Sequence, residues 1–145
     1  MTITSRDGAP APQPLEMFDL SLPVEHGLVT VHECATALAD AGVNIDAVNY
    51  NAADDAQSIH LLVQDGDDAA RILKRAGAAG ITCRPVLVYT LPNQPGTLAR
   101  YAGALIAGGI DVDFMYQATA RGIVVAAPDL EAVRTAFARA ATESG

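Results

Sequence analysis

The residues best suited to chemistry lie in Asn93-Gln94-Pro95-Gly96-Thr97-Leu98, where an apolar run (Val86, Leu87, Val88, Tyr89) gives way to a helical pattern. Pro95 suits the first helical position, because its fixed φ fits a helix and its missing N–H has no partner there; Asn93 or Gln94 then sits near the N-cap. Gly96 has no side chain, so a small anion can approach the backbone N–H groups of Gly96, Thr97 and Leu98, where the helix dipole also favours negative charge. This is chemistry for holding a carboxylate. The plainer alternative is that Pro95-Gly96 starts a helix and does nothing else.

Other reactive residue types fit structural roles better. Asp111 and Asp113 lie two apart on one strand face, and paired carboxylates can do acid–base work. Ile110, Val112, Phe114 and Tyr116 would form the buried face of that strand, leaving the aspartates as its solvated reverse. Accepting hydrogen bonds from a ligand's ammonium suits them more than catalysis. His26, His32 and His60 have no partner at metal-ligand spacing. Asp65-Gly66-Asp67-Asp68 lacks the ordered ligands and distal Glu of a calcium loop and reads as a turn entering an N-cap. Cys34 and Cys83 are the only cysteines and lie far apart, so they are expected to be reduced thiols, with Cys34 on an apolar helix face. Tyr101 and Tyr116 read as core or interface residues. With no nucleophile–base pair, phosphate loop or metal set, neither an enzyme nor a cofactor is expected.

The elements that must position the junction follow from periodicity. Residues 1–14, with three prolines alternating in Ala9-Pro10-Ala11-Pro12-Gln13-Pro14, read as a flexible extended tail. Leu15–Leu22 reads as a strand and Pro23–Leu28 as a loop. Val31, Ala35, Leu38 and Gly42 recur at helical spacing, and Gly42 ends that helix. Val43, Ile45 and Ala47 alternate with Asn44 and Asp46 as a second strand; after a polar turn at Asn51–Asp55, Ile59, Leu61 and Val63 share one face of a third. Asp67 or Asp68 can cap a helix carrying Ala69, Ile72, Leu73 and Ala76, and Ile81–Arg84 completes β-α-β-β-α-β. A strand at Val86–Leu91, a helix at Pro95–Gly108, strands at Ile110–Ala118 and Gly122–Ala127, and a helix at Asp129–Ala141 repeat that order. Leu98, Leu105, Gly109, Ile110, Val112 and Asp113 stand opposite Val31, Leu38, Gly42, Val43, Ile45 and Asp46 at a constant offset of 67, an internal repeat. Only Thr142-Glu143-Ser144-Gly145 follow, so the second copy is expected to lack its last strand. The expected fold is α+β: two tandem ferredoxin-like copies, residues 15–84 and 85–145, each an antiparallel sheet with helices on one face.

Composition sets limits. Half of the 145 residues are apolar, enough for one ordinary core or two small ones. A net charge of −8 would repel a phosphate backbone, so nucleic acid is not an expected partner. The apolar stretches fall short of the roughly 18 to 20 residues that span a bilayer, and the N-terminus lacks the pattern of a secretory leader. A cytoplasmic protein is expected.

Asn93-x-Pro95-Gly96-Thr97-Leu98-Ala99, followed by Leu105 and Gly109-Ile110-Asp111-Val112, resembles the ACT domain, a small regulatory module of amino-acid enzymes. The resemblance spans about residues 15 to 141 as two tandem copies of the stand-alone type, with Met115-Tyr116 also similar. It implies a non-catalytic sensor that binds a free amino acid at the interface between the two repeats. Asn93, Gln94, Gly96, Thr97 and Leu98 would form the loop side, and Asn44, Ile45, Asp46 and Ala47 the facing strand. The first copy departs from the pattern: its loop, Val24 to Val29, reads as two residues longer, with Leu28-Val29 at the Pro-Gly positions. A second site, from Glu25, His26, Gly27 and Leu28 facing Asp111 and Asp113, stays open. The alternative function is a ligand-independent interaction or regulatory subunit of a separate amino-acid metabolic enzyme. Because the second copy lacks a strand, Val86–Leu91 is expected to present an open edge, which a homodimer would cover, with the N-terminal tail as the alternative cover.

Overall fold

The computed structural model describes residues 13–53, 57–119 and 122–142. The tail is outside these residues except for Gln13 and Pro14, as are Asp54 and Asp55 of the polar turn and the last three residues. The chain divides into two compact units, Glu16–Val86 and the residues from Leu87 onward.

The first unit runs β1 (Leu15–Pro23), α1 (Leu28–Asp40), β2 (Ala47–Asn51), β3 (Ser58–Val63), α2 (Gly66–Arg75) and the start of β4 (Thr82–Thr90), with strand order β2-β3-β1-β4. Antiparallel pairing sets Leu20 opposite Leu61 and Leu22 opposite Ile59. With the two-residue alternation of strands, this puts Leu20, Leu22, Ile59, Leu61 and Val63 on one face. Cys34 and Leu38 of α1 and Ala69 and Leu73 of α2 pack onto that face as one buried cluster. The cap of α2 is Asp65, whose carboxylate accepts from the Asp68 N–H at 3.0 Å, so the expected cap at Asp67 or Asp68 moves back along the chain. Asp67 and Asp68 lie in the first turn, and Lys74 and Arg75 in the last, each matching the helix dipole.

The second unit takes the end of β4 and continues through α3 (Thr97–Ala107), β5 (Phe114–Gln117), β6 (Gly122–Ala126) and α4 (Leu130–Thr142), in strand order β4-β6-β5. It has no further strand among the described residues. Leu87 and Tyr89 of β4, Tyr101 and Leu105 of α3, and Val133 and Phe137 of α4 belong to its buried core. Phe137 meets Tyr89 at 4.5 Å and Tyr101 edge-on at 4.9 Å between ring centroids. Such aromatic contacts contribute about 0.5–1.5 kcal/mol each beyond area burial.

Helices α1 and α3 end in matching backbone hydrogen bonds. Val43 N–H donates to the Leu38 carbonyl at 2.8 Å and Ile110 N–H to that of Leu105 at 3.1 Å, while Gly42 and Gly109, at φ 76° and 65°, donate to Ala39 and Ile106. Both helices therefore end in the same glycine cap, with the left-handed residue reversing the chain toward the next strand.

Three expectations change. The segments Ile81–Arg84 and Val86–Leu91 belong to one continuous strand, β4. Pro85 does not break it, because an extended φ suits proline and the ladder to β6 uses only Leu87 to Thr90. Taken unit by unit, β4 is an outer strand of each, paired with β6 in the second through Leu87 to Thr90, and β2 and β5 are the other outer strands. β2 and β5 also start later than the alternation implied. Asn44, Ile45, Asp46 and Ile110 to Asp113 form irregular lead-ins, each ending in one bond, Asp46 N–H to the Leu62 carbonyl and Asp113 N–H to the Ala126 carbonyl, both 2.8 Å. Period-two reasoning fails across a non-strand segment. Ile110, Val112 and Met115 accordingly pack on the core, while Phe114 and Tyr116 stack on each other, 6.0 Å between centroids, instead of sharing the face of Ile110 and Val112.

Candidate functional site

The segment Leu91 to Gly96 leads from β4 into α3. Helix α3 begins at Thr97 and not at Pro95, and its N-cap is Gly96 at φ 88°, ψ −12°. Only glycine takes this conformation without strain. Nothing lies within 4 Å of the position a Cβ would occupy there, so the glycine serves the backbone and leaves open space above it. No side chain caps the helix. Gln94 N–H donates to the Pro92 carbonyl at 3.1 Å, and Thr97 N–H to the Gln94 carbonyl at 3.3 Å. The Thr97 amide is thus already engaged, contrary to expectation, whereas those of Gly96 and Leu98 have no partner among the described residues.

A concavity of about 190 Å³ opens at this junction. Asn93, Gln94, Thr97 and Gln117 supply its polar wall, and Leu91, Pro92, Leu98 and Ile123 its apolar wall. At roughly 30 Å³ per water, it holds about six waters' worth of volume, the scale of a small metabolite. Gln117 and Ile123 escaped the sequence reading. They are register partners at the start of the β5–β6 hairpin. Antiparallel pairing of Thr90 with Gly122 brings that hairpin beside the end of β4, so topology was the signal that could have found them.

Electrostatics at the start of α3 favour an anion. The first turn of α3 has no acidic side chain. Arg100, one turn in, lies 5.2 Å from the Tyr101 ring, and its Nε is buried with no hydrogen-bond partner among the described residues.

The corresponding junction of the first unit is built differently. Only four residues, 24–27, separate β1 from α1, against six, 91–96, between β4 and α3. The first loop is therefore shorter, not longer: Leu28 and Val29 have joined the helix, and Gly27, at φ 61°, takes the N-cap place that Gly96 holds in the second unit. His26 N–H donates to the Thr30 hydroxyl at 3.0 Å. The cavity here, beside Glu25 and His26, measures only about 70 Å³, because Ala76 to Ala79 at the end of α2 close it. That is roughly two waters' worth.

Of the remaining candidates, Asn44 Nδ2 donates to Asp46 Oδ1 at 2.9 Å, which holds the Asp46 carboxylate in place. Ala47 is buried and Ile45 half-buried, while Asp111 and Asp113 are exposed. Tyr101 is a core residue. Burial and then the neighbouring Glu33 raise the Cys34 thiol, which leaves it a poor nucleophile. The sequence reading also missed the pair formed by Asp19, fully buried in β1, and His60 of β3, whose Nδ1 lies 3.1 Å from both carboxylate oxygens. Among the described residues, no three His, Cys, Asp or Glu side chains gather where a metal could be held, and no helix is long and apolar enough to cross a membrane.

No protein-family model and no curated protein matches the sequence. Solved structures match its fold. Protein BT0572 from Bacteroides thetaiotaomicron is 24% identical, with TM-score 0.67 over 88% of this chain and 89% of its own. The regulatory subunit of aspartate kinase from Thermus thermophilus, in a ligand-free form, gives TM-score 0.67 at 17% identity, covering 92% of this chain and 97% of that one. The same subunit from Thermus flavus gives 0.65 at 15% identity, covering 97% and 99%. At these identities the likeness is one of fold.

Proposed function

We propose that this chain is a non-catalytic regulatory protein that binds a free amino acid at the start of α3, with the ligand's carboxylate on the Gly96 and Leu98 amides. One observation carries the reading: a concavity of about 190 Å³ meets unpartnered backbone donors at a helix start whose first turn has no acidic side chain. The solved structures support it, because regulatory subunits of aspartate kinase share the fold over nearly their whole length. The ACT resemblance at Asn93 to Leu98 supports it independently. The first loop, with Glu25, His26, Gly27 and Leu28, is the less favoured site, because the cavity beside it measures about 70 Å³ against about 190 Å³ at α3. A cytoplasmic homodimer belongs to the same proposal.

A thermal-shift screen of the twenty amino acids against the full chain tests it. A ligand at a hundred times its dissociation constant stabilises the native state by about 2.7 kcal/mol. The decarboxylated amine of any hit should bind at least tenfold more weakly, since it loses charge-assisted hydrogen bonds of roughly 1.5–3 kcal/mol each. Equal binding of that amine would refute the carboxylate site.

A second reading, a ligand-independent subunit of an amino-acid metabolic enzyme, is favoured by Leu98 and Ile106, which leave α3 with large exposed apolar side chains, 59% and 79% accessible. It predicts a silent screen.

A further inference from the structure

The wall of the α3 cavity narrows the ligand class. Its polar residues are Asn93, Gln94, Thr97 and Gln117, all amides or hydroxyls, and no charged side chain lines it among the described residues. Amide and hydroxyl groups both donate and accept, so they can satisfy a neutral polar group from either side. They cannot neutralise a charge. A side-chain carboxylate or ammonium entering such a pocket loses water without gaining a counter-ion, and that penalty grows with burial. The backbone amides of the helix start are already assigned to the ligand's α-carboxylate. They are therefore not free to compensate a second anion.

From this we infer that the regulatory ligand is an amino acid with an uncharged side chain, which lies against Gln117 and Thr97. The inference rests on the amino-acid reading of the same site and adds the selectivity. It distinguishes this cavity from one built for a basic or acidic effector, which would present a carboxylate or a guanidinium in its wall.

Matched pairs test it on the unmodified chain: glutamine against glutamate, asparagine against aspartate, and norleucine against lysine, by isothermal titration calorimetry alongside the full amino-acid screen. In every pair that binds, the neutral member should be at least tenfold tighter; if no pair binds, every hit in the screen should be uncharged. Gln117→Glu should weaken the neutral ligand at least tenfold and bring lysine into measurable range, with circular dichroism and melting temperature checking the fold. A charged amino acid that binds as tightly as its neutral partner overturns the selectivity and leaves the amino-acid site standing. So does a folded Gln117→Glu protein with unchanged preference. A screen in which no amino acid binds overturns the site itself, and this inference with it.

Discussion

Substituting Gly96 separates backbone strain from charge. Its φ of 88° is one that an L-residue adopts only under strain, and the space around a Cβ is open, so the penalty for Gly96→Ala is conformational and not steric. A left-handed non-glycine residue costs roughly 1–2 kcal/mol, and the lower entropy of the unfolded alanine chain offsets about 0.4–1. The net loss is about 1 kcal/mol, or roughly 4–8 °C in melting temperature for a unit of this size. Gly96→Asp carries similar strain, tempered by aspartate's tolerance of this region and by its favourable place at a helix N-terminus. Its carboxylate, however, competes for the Gly96 and Leu98 amides. Two charge-assisted bonds of roughly 1.5–3 kcal/mol each are at stake, so the ligand should bind at least about a hundredfold more weakly. Calorimetric titration of both variants, with melting curves as the control, should show alanine keeping affinity within about threefold and aspartate losing it. If Gly96→Asp binds like the unmodified chain, the carboxylate does not sit at α3. If alanine alone abolishes binding, the loop's conformation matters and the placement of charge is unsupported.

Three further outcomes follow from packing and ionisation. At Gly66 an added Cβ would lie 2.6 Å from Cys83 Sγ and 2.7 Å from Phe18; Gly66→Ala should lower the urea midpoint by an amount equivalent to about 1–3 kcal/mol of overpacking, outweighing the gain in helix propensity, and an unchanged midpoint would refute the contact. Burial pushes the Tyr89 hydroxyl up to about 12 from an ordinary value of 10. Since the folded value is the higher, stability is intact below pH 10 and falls as pH rises from 10 towards 12, by roughly 2–3 kcal/mol in all, and Tyr89→Phe should flatten that part of the pH–stability curve. Cys83 is exposed and Cys34 buried, so a thiol reagent should modify one cysteine in the native chain and both in denaturant; burial and then Asp67, Asp19 and Asp65 raise the Cys83 thiol, which should slow its reaction near neutral pH.

Periodicity by itself determined the order of the elements. Helix faces such as Val31, Leu38 and Leu105 repeat every three to four residues whatever surrounds them, and the glycines at 42 and 109 end both helices because the backbone there turns left-handed. The junction at Asn93 to Leu98 was legible for the same local reason. Tertiary structure decided what depends on partners. Thr97's amide turned out to be engaged by the Gln94 carbonyl, and the helix start moved from Pro95 to Thr97, because a turn closes through hydrogen bonds and not residue preference alone. Period two carried Phe114 and Tyr116 onto the wrong face because the chain from Ile110 to Asp113 is not in a strand. The difference between the two loops, a cavity of about 190 Å³ beside one and about 70 Å³ beside the other, is set by Gln117 and Ile123 in one unit and by the end of α2 in the other. Those residues lie far along the chain from the loops they border, and only strand pairing and helix packing bring them there.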